Sequence, residues 1–95
     1  QAESLLTQGV DILVLVPHNA EAAGTIVELA KRQNVPIISY DRLVRNSEPD
    51  LYISFDNKKV GELQARYLVE KSPRGNYVLI GGAPTDNNAR LLREG

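Results

Sequence analysis

The sequence predicts an α/β fold built on a doubly wound, largely parallel sheet. Two observations carry this prediction: helical and apolar strand-like segments alternate along the chain, and most of the loops that join them are short. The predicted order is helix, strand, helix, strand, loop, strand, helix, strand and the start of a last helix. Such alternation favours parallel strands joined by right-handed crossovers.

A third observation is a weak internal repeat, the echo, in which a helix–strand pattern recurs with a spacing of about 25 residues. In its first two copies a helical segment ends at Gly9 or Asn34, residue types that adopt the left-handed conformation that stops a helix. An apolar strand follows almost at once, at 12–16 and at 37–40. A looser third copy leads into an apolar run at 77–80. The echo indicates a repeated helix–strand unit.

Apolar residues at helical spacing predict two longer helices. The first is expected at 20–33 with Asn19 as its N-cap, and the second at 57–71 with Asp56 or Asn57 as its cap. Their apolar faces are Ala23, Ile26, Val27 and Ala30 in the first helix and Val60, Leu63, Tyr67 and Leu68 in the second.

The strand segments differ in their patterns. The runs at 12–16 and 77–80 are apolar throughout, which is typical of strands covered on both faces. In 51–55 apolar residues alternate with Tyr52 and Ser54, a pattern that favours a strand nearer an edge of the sheet. The loop at 43–50 is polar and contains a proline, so it is expected to be exposed.

Composition excludes several classes of function. The net charge of −1 argues against nucleic acid as a partner, because phosphate binding needs a basic face. The chain has no cysteine and one histidine, so we expect no disulfide, no thiol nucleophile, no metal and no cofactor. No apolar run approaches the roughly 20 residues of a membrane span.

Every cluster of polar candidates follows the carboxyl end of a predicted strand. In open parallel sheets ligands bind at that edge, because loops and helix N-termini converge there. The clusters are Pro17-His18-Asn19, Asp41-Arg42, Asp56-Asn57, and Gly81-Gly82 through Asp86-Asn87-Asn88.

The chemistry of these side chains suits a ligand dense in hydroxyl groups. Carboxylates accept hydrogen bonds, guanidinium donates, and amides do both, whereas carboxylates would repel a phosphate. Simpler interpretations stand beside this one: Asp41-Arg42 as a solvated ion pair, and the Asp56 and Asp86 clusters as helix caps. No nucleophile stands beside His18 in sequence, so a loop histidine is favoured over a catalytic base.

Several motifs together resemble the D-xylose-binding proteins of bacterial ABC importers. The similarity runs across essentially the whole chain. The Asp-Arg pair after a strand is shared with the wider superfamily of type 1 periplasmic binding proteins, which includes ribose receptors and the effector domains of lactose-repressor-type regulators. The motifs are Tyr40-Asp41-Arg42, Ser54-Phe55-Asp56-Asn57, Gly61-Glu62-Leu63-Gln64, Gly75-Asn76-Tyr77, Gly81-Gly82 and Asp86-Asn87-Asn88-Ala89.

The resemblance implies two α/β lobes with a sugar held in the cleft between them. Residues 1–56 would form the second half of the N-terminal lobe, and residues 57–95 would open the C-terminal lobe. Carried over by position, the substrate-binding residues are Asp41 and Arg42 from one lobe, and Asp86, Asn88 and the further candidate Asn87 from the other. No role is carried onto His18.

The function implied by the resemblance is that of the substrate-binding component of an ABC sugar importer, not of an enzyme. Its ligand would be D-xylose or a related monosaccharide, its partner a membrane permease, and its location periplasmic or otherwise extracytoplasmic, with or without a lipid anchor. Two alternatives keep the lobes but change the output: a xylose receptor coupled to a signalling kinase, or the effector domain of a transcription regulator. A sugar-converting enzyme is a third, with Asp41 and Asp86 as its carboxylate pair.

Both ends of the sequence fall in or beside predicted helices, and neither a starting methionine nor a signal peptide is present. We therefore expect the chain to be a segment of a larger protein that supplies the rest of the pocket. By itself the segment would expose an apolar sheet face and strand edges, and it is expected to associate.

Overall fold

The computed structural model describes residues 1–95 and contains four helices and three strands. The chain divides into a first unit, Gln1–Ser54, and a second unit, Phe55–Gly95, which are described separately. The elements of the first unit are α1 (Ala2–Thr7), β1 (Leu13–Leu15), α2 (Gly24–Arg32), β2 (Ile37–Tyr40) and β3 (Leu51–Ile53). Those of the second unit are α3 (Asn57–Lys71) and α4 (Asn87–Glu94).

The first unit is built on a three-stranded parallel sheet with the order β1-β2-β3. In its register Leu13 lies opposite Ile37, and Ile38 lies opposite Leu51. The parallel α/β architecture predicted from the sequence is therefore confirmed. The edge position predicted for the third strand is also observed, although β3 ends at Ile53 rather than at residue 55.

Both helix stops predicted from the echo are observed. Gly9 has φ +78° and Asn34 has φ +55°, the left-handed conformation in each case. After α2 the Asn34 amide donates to the Lys31 carbonyl and the Val35 amide to the Ala30 carbonyl, both at 3.0 Å. This pair of bonds is a Schellman motif, which satisfies the last carbonyls of the helix and turns the chain into β2.

The core of the first unit lies between α1, α2 and one face of the sheet. The predicted apolar face of α2 is confirmed, with Ile26 half-buried and the other three residues buried. The start of the helix was predicted wrongly. The Asn19 carboxamide oxygen accepts from the amides of Glu21 and Ala22, so Asn19 caps a turn, and regular helix begins only at Gly24. The buried core residues are Leu6, Leu13, Ala23, Val27, Ala30, Ile37 and Val44.

The other face of the sheet is open in this chain. Val14 is 59% exposed and Val16 is 55% exposed, although the uniformly apolar run at 12–16 predicted a strand covered on both faces. An apolar surface of this kind is usually covered by further protein.

In the second unit α3 occupies the predicted range, and Asp56 is its cap. The Asp56 carboxylate accepts from the Lys59 amide at 3.0 Å. The predicted apolar face of the helix is not buried: Leu63, Tyr67 and Leu68 are each half exposed or more.

The strand predicted at 77–80 is absent, which corrects the prediction from its apolar run. The reason is physical: a strand is held by hydrogen bonds to a neighbour, and the second unit contains no other strand. Val78 and Ile80 are 87% and 91% exposed.

Helices α3 and α4 approach closely at Gly61. A Cβ added to Gly61 would overlap the Leu92 carbonyl oxygen, and one added to Gly95 would overlap the Lys58 carbonyl oxygen. The absence of side chains at these two positions is what allows the backbones to pack directly. Neither α3 nor any shorter helix is long and apolar enough to cross a membrane.

Candidate functional site

The Asp41-Arg42 pair stands directly after β2, at the carboxyl edge of the sheet. Asp41 has φ +62°, and the Arg42 amide donates to the Tyr40 carbonyl at 2.7 Å. These features define a γ-turn of the rare type whose central residue has positive φ. A residue with a Cβ held there costs about 1–3 kcal/mol, and aspartate is among the types that tolerate it best.

Hydrogen bonds from the sheet hold this turn. The Asp41 amide donates to the Ile53 carbonyl at 2.8 Å. The Ser54 hydroxyl donates to the Asp41 carbonyl at 2.7 Å, and the Ser39 hydroxyl donates to the Arg42 carbonyl at 2.5 Å. Ser39 is fully buried. The backbone of the candidate pair is thus fixed by β2, by β3 and by the residue that follows β3.

Arg42 also reaches the neighbouring loop. Its Nη1 lies 3.4 Å from the His18 carbonyl oxygen, at the long end of hydrogen-bonding distance. The contact uses the main chain of His18, so it assigns no role to the imidazole. It brings the loop after β1 and the loop after β2 together at one edge, as the sequence predicted for parallel strands.

The second candidate cluster forms the start of α4. Asp86 is the N-cap: its carboxylate accepts from the Asn88 amide at 3.0 Å. The Asn87 carboxamide oxygen accepts from Arg90 Nη2 at 3.1 Å. The prediction that this cluster contains a helix cap is therefore confirmed for Asp86. A capping role is compatible with a role in ligand binding.

Asn88 is fixed from α3. Asn57 Nδ2 donates to Asn88 Oδ1 at 3.1 Å, and the two side chains are almost fully buried. Because of this bond the carboxamide oxygen of Asn88 faces Asn57, and the NH₂ group of Asn88 faces the opposite side. Asn57 begins α3 and Asn88 lies in the first turn of α4, so the bond also joins the N-termini of the two helices.

Two of these supporting residues, Ser39 and Ser54, were not predicted from the sequence. Ser54 lies in a strand pattern and Ser39 in a short β-branched run, whereas Asn57 belongs to a polar cluster that was weighed as a helix cap. A serine among β-branched residues at an inward strand position is the one local signal that could have drawn attention to Ser39. No group of three or more potential metal ligands is present.

Asp41 and Arg42 belong to the first unit, and the Asp86 cluster belongs to the second. Each cluster therefore has its own local geometry within its unit.

A fold with ligand-directed loops at the carboxyl edge of a parallel sheet is typical of binding proteins as well as enzymes. The model of one family, described as "Periplasmic binding protein domain", matches residues 1–95. The chain belongs to this periplasmic binding protein family.

Relatives and solved structures agree with this assignment. The chain is 47% identical to the D-xylose-binding periplasmic protein of Haemophilus influenzae and 48% identical to that of Escherichia coli K12, over 100% of this chain and 29% of each relative. It is similar to a carbohydrate transporter solute-binding protein from Chloroflexus aurantiacus, solved in complex with D-glucose. That similarity has a TM-score of 0.86 and 42% identity, and it covers 96% of this chain and 28% of the other.

The chain thus spans less than a third of the length of the curated relatives that it matches. The resemblance stated from the sequence motifs is confirmed at the level of the family. These relatives are named as binding proteins and not as enzymes.

Proposed function

We propose that the chain is part of the sugar-binding component of an ABC importer, with D-xylose or a closely related monosaccharide as its ligand. The observation that carries this proposal is the Asp41-Arg42 pair, presented in a braced γ-turn at the carboxyl edge of the sheet. The two xylose-binding relatives, nearly half identical over the whole chain, support the choice of sugar.

The proposed ligand contacts come from both units. Asp41 and Arg42 offer a carboxylate acceptor and a fork of guanidinium donors, which match the hydroxyl and ring oxygens of a sugar. Asp86 and Asn88, with Asn87 as a further candidate, offer acceptors and donors of the same kind from the start of α4. Residues 1–56 and 57–95 are accordingly proposed as parts of the two lobes of the whole protein.

The proposed mechanism is closure of the lobes around the sugar. A ligand shifts the equilibrium only by its difference in affinity for the open and closed arrangements. A sugar bridging Asp41 and Arg42 to Asp86 and Asn88 would make contacts in the closed form that the open form cannot make. A permease that recognises the closed form would then take up the sugar. This function places the protein in the periplasm or an equivalent extracytoplasmic space.

The test is isothermal titration calorimetry of the full-length protein against D-xylose, D-ribose, L-arabinose and D-glucose. We expect xylose to bind most tightly, and the sugar to be recovered unchanged when the mixture is followed by NMR. Absence of binding to all four sugars would contradict the proposal. Conversion of xylose to a product would favour the enzymatic alternative.

A further inference from the structure

We propose that Ser54 and Ser39 are positioning residues of the sugar site, whose hydroxyl groups hold the Asp41-Arg42 turn in its binding geometry before the sugar arrives. The proposal rests on the proposed function, because it assigns these residues to the same site. Neither serine is proposed to touch the sugar.

Two hydrogen bonds from serine hydroxyl groups, which we call clamps, hold consecutive carbonyl groups of the turn. Ser54 donates to the carbonyl of Asp41, and Ser39 donates to the carbonyl of Arg42. Residue 53 accepts from the Asp41 amide, so both polar groups of the Asp41 backbone are bonded to the segment that ends β3. One clamp comes from β2 and the other from the residue that follows β3, and together they fix the orientation of two successive peptide planes.

The turn needs this support because its central φ is positive. Without bonds from outside the turn, a residue with a Cβ returns to the broadly allowed region at negative φ. That change would rotate the peptide planes on both sides of Asp41 and redirect the two side chains. The affinity for a ligand falls in proportion to the fraction of molecules in the competent conformation.

The burial of Ser39 supports the same conclusion. Its side chain is fully buried in β2, next to a core otherwise built from apolar side chains. A hydroxyl group in such a place is costly unless it is hydrogen-bonded. Its bond goes to the backbone of the candidate binding pair and not to another part of the core. An alanine would fill the strand without this cost, so the hydroxyl is best explained by the turn.

The experiment uses the full-length protein and measures xylose affinity by calorimetry for Ser54→Ala, Ser54→Thr and Ser39→Ala. Ser54→Ala and Ser39→Ala are each expected to weaken binding about 5- to 20-fold, the effect of losing one hydrogen bond in the competent state. Ser54→Thr keeps the hydroxyl and is expected to stay within about threefold of the wild type. Val27→Ala is the control for a loss of stability alone, because it creates a cavity in the core of the same unit.

A second measurement does not depend on the sugar. Amide hydrogen exchange of Asp41, followed by NMR, is expected to be at least about fivefold faster in Ser54→Ala than in the wild type and unchanged in Ser54→Thr. A loss of global stability would also speed the exchange of core amides such as that of Ile37, so faster exchange at Asp41 without a change at Ile37 reports the turn itself.

The outcomes are distinct. A wild-type protein that binds none of the sugars defeats the proposed function. Binding by the wild type together with equal affinity in Ser54→Ala defeats the positioning role. The role is also defeated if Val27→Ala weakens binding as much as Ser54→Ala does, or if Asp41 exchange is the same in Ser54→Ala and the wild type.

Discussion

At the scale of single residues, the two non-glycine residues with positive φ serve different purposes. Asn34 (φ +55°) ends α2, and its role follows from the local Asn-Val-Pro sequence. Asp41 (φ +62°) directly follows β2 and is held by hydrogen bonds to residues 53 and 54, about a dozen positions away. The first angle is a local property of the chain, and the second depends on the neighbouring strand.

Replacing Arg42 tests the binding pair directly. Arg42→Ala in the full-length protein removes the donor fork proposed to grip the sugar and leaves its partner groups unsatisfied. We expect a loss of about 2–5 kcal/mol, or roughly 30- to several-thousand-fold in xylose affinity by calorimetry.

Arg45→Ala is the matched control for this prediction. Arg45 lies three residues further on in an exposed ion pair with Glu21, at 3.8 Å, and its loss should change affinity less than about twofold. Retained affinity in Arg42→Ala would remove Arg42 from the site.

The sequence allowed Asp41-Arg42 to be proposed as a binding pair but did not reveal the bonds that support the turn. The pair could be proposed because Asp41 and Arg42 are charged residues placed after a strand. The bond from Ser54 to Asp41 depends on the register that sets Tyr40 beside Ile53, and register is a property of two strands together. No pattern within one segment contains it.

At the scale of elements, the helices that pack within their own unit were predicted best. The apolar face of α2 is buried as expected, and α3 occupies its predicted range. The strand predicted at 77–80 is not formed, because the second unit contains no neighbouring strand to which it could hydrogen-bond. The α2 boundary failed because Asn19 caps a turn before the helix.

The close approach of α3 and α4 predicts an unusual response to alanine. In the middle of a helix, glycine to alanine normally stabilises by about 0.5–1 kcal/mol. At Gly61 the new methyl group would collide with the Leu92 carbonyl, so we expect Gly61→Ala to destabilise the full-length protein by about 1–3 kcal/mol in denaturant unfolding.

Gly24→Ala is the control for this substitution. Its Cβ would meet Asn46 at 3.5 Å, an ordinary contact, and we expect a change within about 0.5 kcal/mol. Equal or greater stability of Gly61→Ala would show that the two helices do not pack through this glycine.

Charge pairs on α3 predict a small pH dependence. A hydrogen bond and the charge of Lys59, with a further contribution from Arg66, lower the pKa of Glu62 below its usual 4.5. Folding therefore favours the ionised form, and the stabilisation is present above pH 4.5 and disappears as the pH falls through the lower folded-state value.

Glu62→Gln should accordingly reduce stability slightly near neutral pH, and this reduction should shrink as the pH falls below 4.5 and in high salt. Glu70→Gln, in the same helix, is the control. The measurement is thermal unfolding across this pH range, and a difference that grows towards acid would contradict the assignment of the shift.

At the scale of the whole molecule, the chain leaves much apolar surface uncovered. Val14, Val16 and the run at 77–80 are exposed, and β1 and β3 are both sheet edges. Surfaces and edges of this kind recruit other chains. We expect the isolated 95-residue chain to associate, as larger species in sedimentation velocity at micromolar concentration. A monomer that melts cooperatively would contradict this expectation.

The buried amide pair at the helix starts has a practical consequence for any redesign of the proposed sugar site. Position 88 would be a natural target for such redesign, yet its side-chain oxygen already serves Asn57. An aliphatic replacement at position 88 would remove the acceptor of the buried Asn57 amide, so it would lower the stability of the fold whatever its effect on the affinity for a new ligand. Mutant libraries should therefore vary residues 57 and 88 jointly, or restrict 88 to side chains that keep an oxygen on that side.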